Sequence, residues 1–88
     1  MIRNRVLVYG RVQGVFFRDT CRRLAVQYGV AGWVRNLPDG RVEAVFEGPA
    51  EDVGRLVDWC RHGPRYAAVD HIDVQAEPPE GLGAFRIT

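Results

Sequence analysis

Twice along this chain the apolar residues change from strand alternation to helical spacing and back, and that double switch constrains the fold more than any other feature. "RVLVY", Arg5 to Tyr9, alternates, with Val6 and Val8 on one face and Leu7 and Tyr9 on the other, and reads as a first strand that Gly10 ends. From Phe17 the apolar positions fall at Phe17, Cys21, Leu24, Ala25 and Tyr28, one stripe of a helix, and Gly29 stands just past it as a stop. "VAGWVRN", Val30 to Asn36, reads as a second strand. "RVEAVFEG", Arg41 to Gly48, reads as a third, with Val42, Ala44 and Phe46 sharing a face. "LPDG" between them has the Pro and Asp-Gly chemistry of a tight turn. Pro49 suits the first turn of a second helix, whose stripe is Val53, Leu56, Val57 and Cys60, and Gly63-Pro64 breaks it. Ala68 to Ala76 reads as a fourth strand, "EPPEGLG" as a loop and "AFRIT" as a closing strand.

The order is therefore β-α-β-β-α-β with a short C-terminal strand. A helix with one apolar stripe must bury it, and so must a sheet with one apolar face. The expected fold is α+β: a two-layer α/β sandwich of ferredoxin-like order, both helices covering the same face of an antiparallel sheet. A chain of 88 residues has one core to build, burying roughly 60 to 65% of its unfolded surface. Residues 1–88 are thus expected to form a single domain, with no repeat, low-complexity run or linker.

What the chain lacks removes whole chemistries. All 12 basic residues are arginine, and there is neither lysine nor serine. Serine nucleophiles, lysine Schiff bases and the lysine-dependent phosphate loop are excluded, so any phosphate must be held by arginine and backbone amides. Cys21 and Cys60 lie far apart without CxxC spacing, and His62 and His71 are scattered, so no zinc or redox motif is present and no metal is expected. Each cysteine falls on a helical apolar stripe and reads as a small buried hydrophobe rather than half of a disulfide. A net charge of +1 argues against a coat for nucleic acid or an anionic membrane. No apolar run approaches the ~18 residues of a membrane span, and "MIRNRV" lacks the apolar segment of a secretory signal. The expected location is cytoplasmic.

Between the first strand and first helix lies "GRVQGVFFRDT", Gly10 to Thr20, a short connection rich in amides. Successive N–H groups running into a helix N-terminus form a concave donor site for an anion, and Gly14 lets the backbone approach it closely. Arg18, in the first helical turn, adds a planar, always charged fork that matches two phosphate or carboxylate oxygens. On the loop alone the other reading stands equally: Gly10 and Gly14 as turn glycines, Arg18 as a solvated helix arginine. A cation early in a helix is opposed by the helix dipole by about 0.3 to 1 kcal/mol, which an anion at that place explains. Cysteine-dependent phosphatases carry their nucleophile ahead of the phosphate-binding arginine at a position held here by Val12, while Cys21 lies on the wrong side of Arg18. Asp19 reads as a first-turn carboxylate, so the attacking group must be water.

"GRVQGVFFR" followed by "GWVRNLPDGRVEAVFEG" resembles the paired signature of the acylphosphatases, and the resemblance covers essentially the whole chain, including Gly63, Pro64 and Val69 after the second helix. It implies an enzyme that hydrolyses the carboxyl-phosphate bond of acyl phosphates to a carboxylate and inorganic phosphate, without metal or cofactor. Arg18 matches the family's phosphate-binding arginine and Asn36 its catalytic asparagine. The amides of Gln13, Gly14, Val15, Phe16 and Phe17 match its phosphate cradle. Locally, Asn36 also reads as the first residue of the turn "NLPDG", bonding to nearby backbone; the fold argument instead brings the end of strand two beside the loop. Phe17 is expected in the core, and Phe16 either shields the site or packs. The expected partners are a small-molecule acyl phosphate and its product phosphate, with no nucleic acid or membrane, for a monomeric enzyme.

Two alternatives share these features. Domains of this order also serve as non-catalytic anion- or RNA-binding modules, although such a module would expose aromatics on its open sheet face and carry a basic excess. An acylphosphatase-like domain of a larger carbamoyl-transferring maturation protein would keep both motifs.

Overall fold

Both apolar stripes form helices and every alternating run forms a strand. A computed structural model describes residues 1–88, with β1 (Ile2–Arg11), α1 (Phe17–Gln27), β2 (Ala31–Asn36), β3 (Val42–Gly48), α2 (Ala50–Cys60), β4 (Ala68–Glu77) and β5 (Phe85–Ile87). The strands form one sheet in the order β4-β1-β3-β2-β5. β1 is antiparallel to β3 and β4, and β2 to β3, as expected. β5 instead lies parallel to β2, through Gly32↔Phe85 and Val34↔Ile87, so the sheet is mixed. The cause is topological: β4 ends at the same end of the sheet where β2 begins. A chain that crosses that end enters beside β2 in the same direction.

The helices cover one face. From the sheet come Val6, Val8, Val34, Val42, Ala44, Phe46 and Phe85, and from the helices Phe17, Cys21, Ala25, Val53, Leu56, Val57 and Cys60, all in one buried cluster. Each large apolar side chain so buried contributes about 1.5–3 kcal/mol. Both cysteines are buried and free, and burial pushes both thiols above their ordinary range, holding them as inert hydrophobes.

Gly10 does not end β1. The register with β4 shifts between Tyr9 and Gly10, and the strand runs on to Arg11. Gly10 has φ +125° and a Cβ there would stand 2.3 Å from the Ala68 carbonyl oxygen, so glycine serves as a bulge in place of a stop.

The opposite face of the sheet is closed by ion pairs. Glu43 and Glu47 of β3 are 6% and 2% exposed, because arginines of the neighbouring strands lie over them. Arg5 bonds Glu43 and Glu77, Arg35 bonds Glu43, and Arg3 reaches Glu47, Glu77 and Glu80. Glu47 also accepts the amides of Glu80, Gly81 and Leu82 at 2.7, 2.9 and 2.7 Å, seating the loop that leads into β5. Aromatics do occur on this face, but Trp33 lies beneath Arg5 and Arg35 and Tyr9 beneath Arg41. They are covered by arginines committed to carboxylates, an arrangement unlike the bare stacking platform of an RNA-binding sheet.

Candidate active site

β1, β2 and β5 run in the same direction, so the loop after β1, Asn36 at the end of β2 and Ile87 at the end of β5 meet at one end of the sheet. The loop is held from below by its own side chains. Val12, Val15 and Phe17 are 1, 4 and 2% exposed, and the Phe17 ring packs on Trp59 with centroids 4.9 Å apart. Gly14 and Phe16, between them, face outward.

This alternation holds the loop backbone in a shape that leaves its amides unpaired. The amides of Gln13, Gly14, Val15, Phe16 and Phe17 donate to no backbone carbonyl. Gly14 has φ +73° with nothing within 4 Å of a built Cβ, so the space above it is open to a ligand. Phe16 is the N-cap of α1 at φ 66°, ψ 23°, and supplies no side-chain cap to the helix amides. A left-handed phenylalanine costs of order 1–3 kcal/mol and persists only where its surroundings enforce it; the buried Val15 and Phe17 on either side do so.

Arg18 follows in the first turn, half-buried and paired with no carboxylate. Period two along β2 places Asn36 on the helix-facing side with Gly32 and Val34. Its Oδ1 is buried and has no hydrogen-bond partner, so this oxygen does not cap the turn that follows. A buried acceptor left free is costly in a fold, by about 1–3 kcal/mol, and marks a place where a polar ligand belongs.

Gly14, Phe16, Phe17, Arg18 and Asn36 line one cleft of about 330 Å³, joined by Val12, Asp19 and Ile87. Gln13 and Val15 are absent from the lining; only their amides can serve it. The Gln13 side chain turns away, and Nε2 donates to the carbonyls of Leu37 and Arg41 at 2.8 and 3.0 Å. That clamp ties the cradle loop to the turn directly after Asn36. No pattern in the sequence pointed to it, since the only cue is a long amide side chain in a loop of glycines and apolar residues. Ile87 was equally hidden, because its place depends on β5 pairing with β2. Asp19 rests 3.2 Å from Arg23, which offsets its charge beside the cleft. No three His, Cys, Asp or Glu side chains are grouped so as to hold a metal ion. Amide dipoles, a guanidinium and a free carboxamide oxygen gathered in one cleft are groups that can hold a tetrahedral anion and orient a water.

Known proteins share both fold and sequence. The acylphosphatase family model matches residues 4–87. An acylphosphatase of Gloeobacter violaceus is 59% identical over 86 residues, covering 98% of this chain and 92% of that one. One from Haloarcula marismortui is 53% identical, over 97 and 93%. The crystal structure of acylphosphatase from Bacillus subtilis superposes with a TM-score of 0.95 at 38% identity, covering 100 and 99% of the two chains. Thermococcus kodakarensis HypF, with a TM-score of 0.82 at 35% identity, contains the same fold in 12% of its length. With the family model spanning nearly the whole sequence and relatives matching from end to end, this chain belongs to the acylphosphatase family, enzymes that hydrolyse acyl phosphates.

Proposed function

We propose that the cleft between α1 and the end of β2 is the catalytic centre, and that water attacks the phosphorus of the acyl phosphate directly within one domain formed by residues 1–88. The observation that carries this reading is the union, in one cleft, of an unpaired Arg18, a partnerless buried Asn36 Oδ1 and a loop of undonated amides. Arg18 and the amides of Gln13, Gly14, Val15, Phe16 and Phe17 hold the phosphoryl oxygens and strengthen their hold as charge develops. Asn36 Oδ1 accepts a hydrogen bond from the water and sets its line of approach. The water oxygen bonds to phosphorus as the bond from phosphorus to the acyl oxygen breaks. The carboxylate departs with the bonding pair, and a substrate oxygen takes the proton of the water. A carboxylate is a good leaving group, so no general acid is needed and positioning supplies most of the rate.

In this reading the enzyme needs no metal or cofactor and acts as a cytoplasmic monomer without nucleic-acid or membrane partners; no helix is long and apolar enough to cross a membrane. Benzoyl phosphate should be hydrolysed at an undiminished rate in excess chelator, while simple phosphate monoesters are left intact. A folded sample that turns over no acyl phosphate would return the cleft to the status of an anion-binding module.

A further inference from the structure

Phe16 and Ile87 remain unexplained by phosphate chemistry. Phe16 is 70% exposed in a strained left-handed backbone, where glycine or asparagine sits more easily, so core packing does not account for the aromatic ring. Ile87 is 41% exposed, on the helix-facing side of β5 opposite Val34, two residues before Asn36 on β2. The two arrive from different elements, the N-cap of α1 and the last strand, and both line the cleft of Arg18 and Asn36. A substrate held by its phosphoryl group must place its organic half somewhere in or against this cleft, and these are its large exposed apolar surfaces.

We infer that Phe16 and Ile87 form the acyl subsite, selecting aromatic or branched acyl phosphates over small ones. The inference rests on the reaction proposed above. Contact with the acyl group is the same before and during attack on phosphorus, so the selectivity belongs in KM more than in kcat.

The test compares benzoyl phosphate with acetyl phosphate, and inorganic phosphate as inhibitor, in the wild type and three variants. Phe16→Gly suits the left-handed backbone and removes the ring. It should lower kcat/KM for benzoyl phosphate about tenfold more than for acetyl phosphate, chiefly through KM. Phe16→Leu should recover most of that difference, and Ile87→Ala, outside the cradle of amides, should act in the same direction more weakly with the phosphate inhibition constant unmoved. Equal losses on both substrates in Phe16→Gly, or weaker inhibition by phosphate in Ile87→Ala, would overturn the subsite and leave Phe16 as a support of the loop. Benzoyl phosphate kinetics untouched by Phe16→Gly would overturn it as well. Failure of the wild type to cleave either substrate would instead sink the proposed reaction, and the subsite with it.

Discussion

Two loops of this protein present consecutive amides beside an arginine, one around a carboxylate of the chain itself and one at the cleft of the proposed site. Around Glu47, the consecutive amides of Glu80, Gly81 and Leu82 converge on a carboxylate with Arg3 beside it at 3.6 Å, and Gly81 takes φ +80° to allow the turn. After β1, the amides of Gln13 to Phe17 run toward Arg18, with Gly14 at φ +73°. The first cradle is closed by a side chain of the same molecule, 2% exposed, and the second opens on a cleft. An anion that belongs to the fold turns such a cradle into a fastening. In the proposed reading, one that comes from solution makes the other loop a binding site.

Substitutions that empty either cradle should break the comparison most sharply. Arg18→Ala is expected to have the largest effect, lowering kcat/KM on benzoyl phosphate by about 10³-fold or more and abolishing inhibition by phosphate. Asn36→Ala should cost about 10²–10³-fold in kcat while phosphate still binds. Equal phosphate affinity in the two variants would contradict the division between holding the phosphoryl group and placing the water.

The fold-side cradle should respond in stability. The amides of Glu80, Leu82 and Gly81, with Arg3, hold the Glu47 carboxyl below the usual carboxylate range. A depressed carboxylate adds stability that is complete above its unfolded value, about 4.3, and fades as pH falls through the folded one. Glu47→Gln should therefore melt several degrees lower than wild type at neutral pH, and the gap should close below about pH 4. Thermal melts across pH measure it, and a gap independent of pH would show that shape rather than charge seats this loop. Its kcat, measured where both proteins are folded, should match wild type.

The smallest effect concerns the clamp between the regions. Gln13→Ala removes two hydrogen bonds to the turn after Asn36 and should lower kcat about tenfold through misplacement, leaving phosphate inhibition nearly unchanged. A variant with wild-type kcat would mean that Val12, Val15 and Phe17 alone set the position of the loop.

The layers of the fold were legible because periodicity reports burial directly. The stripe of Val53, Leu56, Val57 and Cys60 is buried as read, and Val42, Ala44 and Phe46 face the helices. That Arg18 and Asn36 share one cleft was legible through two motifs that the topology brings to one end of the sheet. Contacts that depend on distant register were not. Glu47 reads as an outward residue of an alternating strand, and its amide partners lie more than thirty positions away. Ile87 enters the cleft only because three residues of β5 pair parallel with β2, a choice set by where β4 ends. Gly10 misled because a stop and a bulge ask for the same backbone freedom.

The sheet has two rims, and its strand order leaves the whole length of β4 on one of them. A ten-residue rim with open N–H and C=O groups invites a second chain to add on. Here three acidic residues, Asp70, Asp73 and Glu77, lie along that strand, and two of them are bonded to neighbours: Asp73 to Tyr9 and His71, Glu77 to Arg3 and Arg5. Tyr9 and His71 hold the Asp73 carboxyl below its ordinary range, and Arg5 and Arg3 do the same for Glu77. The bonds that fasten β4 to β1 thus also hold two carboxylates of the rim strand in their charged form at a pH where an ordinary carboxylate takes up its proton.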